Sequence, residues 1–586
     1  SPGACLPHQN NTVLYAYSTE IDSIPFVNGA NRIINFARLY GIIANVRLDT
    51  KQEEEIEYHT DGKSLSDSIF SHQPDPSLGY EDTTTGSNLY NVLKKFLTNK
   101  NASICGAQVF LLLKRYPDES DVSDIISQLR ANHVMVLIAV DSIPSGGSNS
   151  ATLYEMSYQT NGYCLFATDS DLNNGFYFMT AILADPYQFL AQNFVVSGSG
   201  RIEVPPFKSP TPVGDEELCP FAITVQNRTL DNSFVSVNYT IGSTDGSFVY
   251  AFPGNQSLPL YGNAQTDGVY CNGSLSYTWI IDYHYNTDAP QIIQLRMYNS
   301  NKNDLGSTVA CRPYQNNTVL YAYSNDIDYW TYSWAANSIF YYAYKNTTMA
   351  IVRFDTKQEE EIEFYSDAEY IWFLFLLLDL FISEKFLNNG KVSFCGAQVL
   401  VLAKRYPDKT DVSDIISQLR ANHVMVHIAV DSVPSGGSNS ATLYEMAYQT
   451  NGYCAFATDN ALQKAFGWMT NILGFPYQFI AQNFVVSGSG RIEIPVFKAP
   501  LPPALDNSFV SMNYTIASTD GSYVYKYPSA QSYPLYGTAQ SGYVWLNGSL
   551  SYTWTIDYHY NTDAPQVIEC RMYSTYYHDF LPLPDF

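Results

Sequence analysis

Two hydrophobic rhythms alternate along the chain, and each occurs twice. From residue 1 to about 208, apolar runs alternate with amphipathic stretches. TVLYAY, GIIANVRLDT, AQVFLLLKR, VMVLIAVDS and YCLFATD read as strands, and the uninterrupted runs among them suit strands covered on both faces. NRIINFARLY, LYNVLKKFLTN, DVSDIISQLRANH and SNSATLYEMSYQTNG read as helices, the last with Ser caps and a Gly stop. EEEIEYH reads as an edge strand whose charges discourage pairing with other chains. Alternating β and α elements predict a doubly wound, mostly parallel sheet. From about 215 to 305 the period changes to two. SFVSVNYTIG, SFVYAFP, GSLSYTWIIDYHY and QIIQLRMYN then predict an antiparallel β-sandwich.

The same order returns in a second copy. NNTVLYAYS at Asn10 recurs at Asn316, an offset of 306. DVSDIISQLRANHVMV at Asp121 recurs at Asp411, an offset of 290. DNSFVS at Asp231 recurs at Asp506, an offset of 275. Each drop marks a segment missing from copy two, and such losses fall in loops and linkers. The Pro-rich SPTPVGDEELCP and APLPPAL read as stiff linkers. The expected architecture is an α/β and all-β multidomain chain. It has α/β domains at 1–208 and 306–498 and sandwiches at 209–305 and 499–586.

Composition narrows the function. The chain has 586 residues, 46% hydrophobic and only 15% charged, with a net charge of −25. Such a chain repels phosphate backbones, which argues against nucleic-acid partners. Its 48 Tyr and 32 Phe suit broad amphipathic contacts. N-x-S/T sequons stand at Asn10, Asn101, Asn227, Asn238, Asn255, Asn272, Asn316, Asn346, Asn513 and Asn547. With a start at Ser1 they predict a processed, secreted, extracellular glycoprotein. Ile371 to Ile382, IWFLFLLLDLFI, is shorter than the roughly 20 residues of a membrane span and carries Asp379. It reads as a buried helix rather than an anchor.

VLYAYSTEID, CGAQVFLLLKRYPD, SDIISQLRANHVMV and PSGGSNSATLYEM before YQTNGY carry a resemblance. The α/β part resembles von Willebrand factor A domains, and more closely the A-like domains of secreted nematode proteins. The resemblance implies a ligand edge at the carboxyl end of the sheet, often with a divalent metal. The family's Asp-x-Ser-x-Ser after the first strand is replaced by YSTEID, with Tyr17 and Thr19, and by YSNDID, with Tyr323 and Asn325. Where the family's last Asp should stand are Lys114 and Arg115, and Lys404 and Arg405 in copy two. Hard cations need oxygen ligands, so the resemblance implies a metal-independent domain with no cofactor. Glu20 and Asp326 are the acids left nearby.

No P-loop, H-E-x-x-H, C-x-x-C or G-x-S-x-G elbow occurs, so the chain reads as non-enzymatic. SGGSNS at Ser145 and Ser435 could cradle an anion but reads first as an ordinary capped turn. Ser199 reads as a turn residue, and His284 and His559 as sandwich-face residues.

Nine cysteines add an odd thiol. Cys219 and Cys271 are both missing from copy two, as a disulfide pair would be. Cys5 and Cys570 lie near opposite ends and are candidates for a link between molecules. Cys105 and Cys164 read as buried free thiols. Two functions follow. The first is a structural protein in which a heterologous contact between copies repeats head to tail into an extracellular filament or matrix. The alternative is a soluble extracellular recognition protein for carbohydrate or microbial surfaces. Partners are thus another copy of the chain, or an extracellular protein or glycan.

Overall fold

A computed structural model of the chain describes residues 12–301, 318–342, 348–357, 361–365, 392, 394–500 and, with short gaps, 506–576. The first strands are β1 (Thr12–Ser18), β2 (Ile42–Leu48), β3 (Glu57–His59), β4 (Gln108–Leu113), β5 (Met135–Asp141) and β6 (Cys164–Ala167). They form one sheet in the order β3-β2-β1-β4-β5-β6. All neighbours are parallel except the edge pair β2–β3. Its helices are α1 (Ser23–Phe36), α2 (Gly62–Ser71), α3 (Leu89–Leu97), α4 (Ser123–Ala131), α5 (Ala151–Gln159) and α6 (Asp169–Met179).

Every residue of β1 is buried, because helices cover both faces. Val13, Tyr15 and Tyr17 pack with Phe26 of α1 and Phe176 of α6. Leu14 and Ala16 face α3, α4 and α5 through Leu93, Ile126 and Met156.

Two local expectations change, and one is refined. The acidic run Glu53–Glu55 precedes the edge strand, which starts at Glu57. Its carboxylates pair with Arg47 and Lys95 instead of lining an edge. Ser150 precedes α5 without a side-chain cap bond. The stop after α5 is set by Asn161, at φ 59°, and by Gly162. A Cβ on Gly162 would stand 1.8 Å from the Val136 carbonyl oxygen, so only glycine fits this approach.

The next eight strands are β7 (Tyr187–Val196), β8 (Ser199–Phe207), β9 (Glu216–Thr224), β10 (Phe234–Ser243), β11 (Val249–Phe252), β12 (Ala264–Asn272), β13 (Tyr277–Tyr285) and β14 (Gln291–Asn299). Two four-stranded antiparallel sheets, β11-β10-β13-β8 and β12-β9-β14-β7, pack around Trp279, Phe221 and Leu295. β7 and β8 therefore belong to the sandwich, whereas the division at 208 put them in the α/β part. Their pairing decides the matter. β7 runs against β14 and β8 against β13, so the change of layer falls before Tyr187.

Copy two repeats the order of the first α/β sheet, but its sandwich strands fall into one four-stranded and two two-stranded sheets. β15 (Thr318–Ser324), β16 (Thr348–Phe354), β17 (Glu363–Tyr365), β18 (Gln398–Ala403), β19 (Met425–Asp431) and β20 (Cys454–Ala457) form the sheet β17-β16-β15-β18-β19-β20. Its sandwich strands are β21 (Tyr477–Val486), β22 (Ser489–Lys498), β23 (Asp506–Ser511), β24 (Thr515–Ser518), β25 (Val524–Lys526), β26 (Gly542–Asn547), β27 (Ser551–His559) and β28 (Gln566–Ser574). Again the first two, β21 and β22, pair with sandwich strands β28 and β27. The boundary expected at 498 therefore moves before Tyr477. Ile371 to Ile382 lies outside the described residues. Among the described residues no helix is long and apolar enough to cross a membrane.

A buried arginine locks each sandwich to its α/β sheet. Arg296 on β14 donates to the carbonyls of Gly162 (3.0 Å), Gln192 (3.1 Å) and Leu295 (2.9 Å) and to Asn193 Oδ1 (3.0 Å). Arg571, at the equivalent place on β28, donates to Gly452, Gln482, Cys570 and Asn483. Both are fully buried, and these hydrogen bonds offset the cost of burying the guanidinium charge.

The two copies meet through reciprocal contacts. β7 packs on its own counterpart β21. α4 packs on β22, while the equivalent helix Ser413–Ala421 packs on β8. Ser123 Oγ lies 3.3 Å from Ser551 Oγ, and the matched pair Ser276 and Ser413 lies at 3.4 Å. Val195 joins the core of the second sandwich, and Val485 packs against the core of the first. Each contact is made twice with the roles exchanged. The interface is therefore isologous, a two-fold pair inside one chain. The heterologous contact expected from the tandem order is not the one formed.

Candidate functional site

The carboxyl end of each α/β sheet is built from polar residues that follow fully apolar strands. Ser18 ends β1, and its hydroxyl donates to Asp49 Oδ2 at 2.5 Å. Ser87 Oγ donates to Asp49 Oδ1 at 2.6 Å. Burial raises the Asp49 carboxyl above its ordinary range, against these hydrogen bonds. Lys114 follows β4 and reaches Asp141, at the end of β5, at 2.5 Å. Arg115 is buried and donates to both oxygens of Glu20, at 2.9 and 3.1 Å. Its other nitrogen donates to the carbonyls of Asp82 (3.0 Å) and Thr85 (2.7 Å). Ser145 also donates to Glu20.

The Ser-Gly-Gly turn is shaped by this arginine. A Cβ on Gly146 would lie 1.9 Å from Arg115 Nη1, and Gly147 takes φ 75°. Both glycines let the turn close over the guanidinium. The motif that resembled an anion cradle thus covers a cation.

Copy two repeats the core of this arrangement. Ser324 donates to Asp355 at 2.5 Å, and Lys404 pairs with Asp431 at 2.6 Å. Arg405 pairs with Asp326 at 2.8 Å, and Ser435 donates to Asp326 at 2.6 Å. The side chain of Arg405 is 41% exposed, against 1% for Arg115. The loop that supplies Asp82 and Thr85 falls in the stretch shortened in copy two.

The remaining degenerate positions are structural. The Tyr17 hydroxyl donates to the His72 carbonyl and the Thr19 hydroxyl to the Asp75 carbonyl, each at 2.8 Å. Tyr323 packs on Tyr332 with ring centroids 4.6 Å apart and the rings tilted by 41°. The Asn325 amide donates to the Phe354 carbonyl at 2.7 Å. This donor set does not fit a divalent ion, because two cations hold the carboxylates that would bind one. Among the described residues no cluster of three metal-ligating side chains occurs.

Around each ion-paired edge stand large apolar side chains in solvent. Ile24 and Ile143 are each 66% exposed. Their repeat equivalents Trp330 and Val433 are 77% and 66% exposed. Neither pair was singled out from sequence. The only sequence signal is an apolar residue at the same two offsets in both copies.

Ser199 bonds His284 Nδ1, and Ser489 bonds His559 Nδ1, as exposed cross-strand neighbours. His559 Nε2 meets Asn561 Oδ1 at 3.1 Å, so no carboxylate orients this ring as in a catalytic triad. The Gly200 beside Ser199 is covered by Tyr283, whose hydroxyl would lie 2.4 Å from an added Cβ.

The cysteines depart from expectation. Cys105 and Cys395 are each in a disulfide, so Cys105 is no free thiol, while Cys164 is buried and free. Cys219 and Cys271 are free thiols in contact, not the expected disulfide. Cys219 stands opposite Val269, so Cys271 is its diagonal neighbour. Diagonal partners are roughly 7–8 Å apart at Cα, beyond the about 4.4–6.8 Å that a disulfide spans. Asn299 Nδ2 donates to Cys219 Sγ at 3.2 Å. Cys570, on β28 beside β21, is fully buried and is not placed to link molecules. Cys5 lies outside the described residues.

Of the sequons, Asn101, Asn238 and Asn255 are exposed, and Asn227, Asn272 and Asn547 are half-buried. Asn10, Asn316, Asn346 and Asn513 lie outside the described residues.

A family model described as "Domain of unknown function (DUF7154)" matches residues 192–300 and 482–575. Those are the two sandwiches, each entered within its first strand. No curated protein matches the chain. Among solved structures, a von Willebrand factor type A protein from Catenulispora acidiphila is 11% identical over 44% of this chain and 64% of its own, with a TM-score of 0.22. The K1 cleaved adhesin domain of Lys-gingipain from Porphyromonas gingivalis W83 is 12% identical over 18% of this chain and 65% of its own, with a TM-score of 0.11. The chain thus spans just under two thirds of both. These comparisons leave the function to be argued from the molecule's own surfaces.

Proposed function

We propose that the chain is a secreted, glycosylated, non-enzymatic recognition protein that displays two metal-independent A-like edges. On this reading it resembles secreted nematode proteins whose A domains have lost the metal site, and its targets are carbohydrate or microbial surfaces. The duplicated edge carries the proposal. In both copies a cation–carboxylate pair replaces the metal, and two large apolar side chains stay in solvent beside it. Exposed apolar groups at helix starts and loops held by a rigid sheet are a common basis of recognition.

The filament reading loses its main support. A repeating assembly needs a heterologous contact with complementary faces left open. Here both faces of the repeat contact are used within one chain.

A glycan array probed with the full chain tests the proposal. Saturable binding to a glycan class, lost in the Ile143→Asp, Val433→Asp double variant, is expected. Electron micrographs should show monodisperse particles as concentration rises. Filaments, or glycan binding indifferent to both substitutions, would overturn it.

A further inference from the structure

The cleft between the two copies has the form of a small-molecule site, separate from the sheet edges. It holds about 740 Å³. That lies within the roughly 300–1,000 Å³ of ligand pockets. One wall is the outer face of β8 and β13 in the first sandwich, including Glu203 and Ile280. The other is the helix Ala441–Gln449, with Tyr444 and Glu445. Val485 and Val567 of the second sandwich contribute apolar surface.

Its charges are lopsided. Among the described residues of the lining the one cation, Arg201, is spent on Asp282 in a two-pronged pair at 2.7 and 2.8 Å. Two carboxyl groups remain, Glu203 and Glu445. Gln449 Nε2 donates to Glu445 Oε1 at 3.0 Å and holds that carboxyl within the helix. We propose that this cleft binds an apolar molecule bearing a protonated amine, with the ammonium at Glu445 and Glu203 and the apolar body against Ile280, Val485 and Val567. Burial, then the Asp411 charge, push the Glu445 carboxyl up to about 7. A bound ammonium would favour its ionised form.

The two-fold related place is built differently. Thr555 takes the position of Ile280, and Ile292 that of Val567. Ile292 also packs against the first α/β core. Ile280 is therefore the apolar wall residue that the two-fold related place lacks, since Ile292 and Val195 keep the apolar character of Val567 and Val485.

Isothermal titration of the full chain with octylamine, octanol and octanoate tests the assignment. Octylamine should bind saturably, with octanol weaker and octanoate at least tenfold weaker than octylamine. Ile280→Trp, on the outer face of its sheet, should fill the cleft and abolish binding. Glu445→Gln, which keeps shape and helix propensity, should weaken octylamine at least tenfold and leave octanol unchanged. Circular dichroism would confirm that both variants are folded. Octanoate binding as tight as octylamine, no saturation with octylamine, or octylamine affinity unchanged in folded Glu445→Gln would each overturn the proposal. None of these outcomes bears on glycan binding at the sheet edges.

Discussion

His427 is the residue at which the copies differ most consequentially. VMVLIAV of β5 becomes VMVHIAV in β19, so an imidazole stands where Leu137 stands in copy one. The ring is fully buried, and neither nitrogen has a hydrogen-bond partner. Tyr453 and Tyr573 lie beside it, with ring centroids at 5.7 and 6.3 Å. Burial, then the Arg571 charge, push its pKa down to about 3. Between about 3 and the ordinary 6.5 the unfolded chain binds the extra proton, so His427 costs stability as pH falls below 6.5. His427→Leu should stabilise the protein by about 1–3 kcal/mol and flatten its acid sensitivity. Urea unfolding at pH 5 and pH 7.5 checks both. Glu155 on α5 has the opposite sign. Burial, then Asp121, push its carboxyl up to about 8 from 4.5. The folded chain holds the proton more tightly, so the contribution is complete below 4.5 and lost as pH rises through about 8. Glu155→Gln should leave thermal stability unchanged at pH 4.5 and raise it at pH 8.5, by on the order of 2 kcal/mol. Both side chains are plain in the sequence. Their burial is not, because a His in a strand and a Glu in a helix are compatible with either face.

At the scale of elements, strand character and the mostly parallel pairing were largely legible. The apolar runs of β1, β4 and β5 are continuous because helices cover both faces, and that pattern needs no partner to be recognised. Membership of a sheet was harder. β7, YQFLAQNFVV, is almost wholly buried and reads like another α/β strand. Only its antiparallel register with β14 shows that it belongs to the sandwich. Arg296 was overlooked for a similar reason. A lone arginine in QIIQLRMYN reads as an outward residue of an alternating strand, whereas the Gly162 carbonyl of the α/β part and three acceptors on β7 and β14 draw it inward. Arg296→Met should keep the volume and lose those bonds, at a cost of about 3 kcal/mol. Guanidinium denaturation would measure this. If the loss is instead near zero, the arginine is not what locks the sandwich to the sheet.

For the whole molecule, the offsets 306, 290 and 275 show that one unit is used twice, but not how the copies face each other. Isologous and heterologous packing can use the same residues, so the choice depends on geometry that the repeat pattern does not contain. The reciprocal packing of Val195 and Val485 makes the choice visible. It also changes what tandem duplication does here. Linking the copies in one chain makes their contact intramolecular. The pair then persists at any dilution, and both sheet edges remain on one particle. A closed pair should scatter X-rays with a radius of gyration within a few ångströms of the roughly 25 Å of a compact chain this long. The rod expected from head-to-tail order would be much larger. Val195→Asp with Val485→Asp places two carboxylates at the centre of the contact, where like charges repel and burial penalises both. The double variant should open the pair. Its radius of gyration should rise while its circular dichroism stays that of the wild type, because each copy keeps its own sheet and sandwich cores. An unchanged radius would mean that the contact around β7 and β21 is not what holds the copies together.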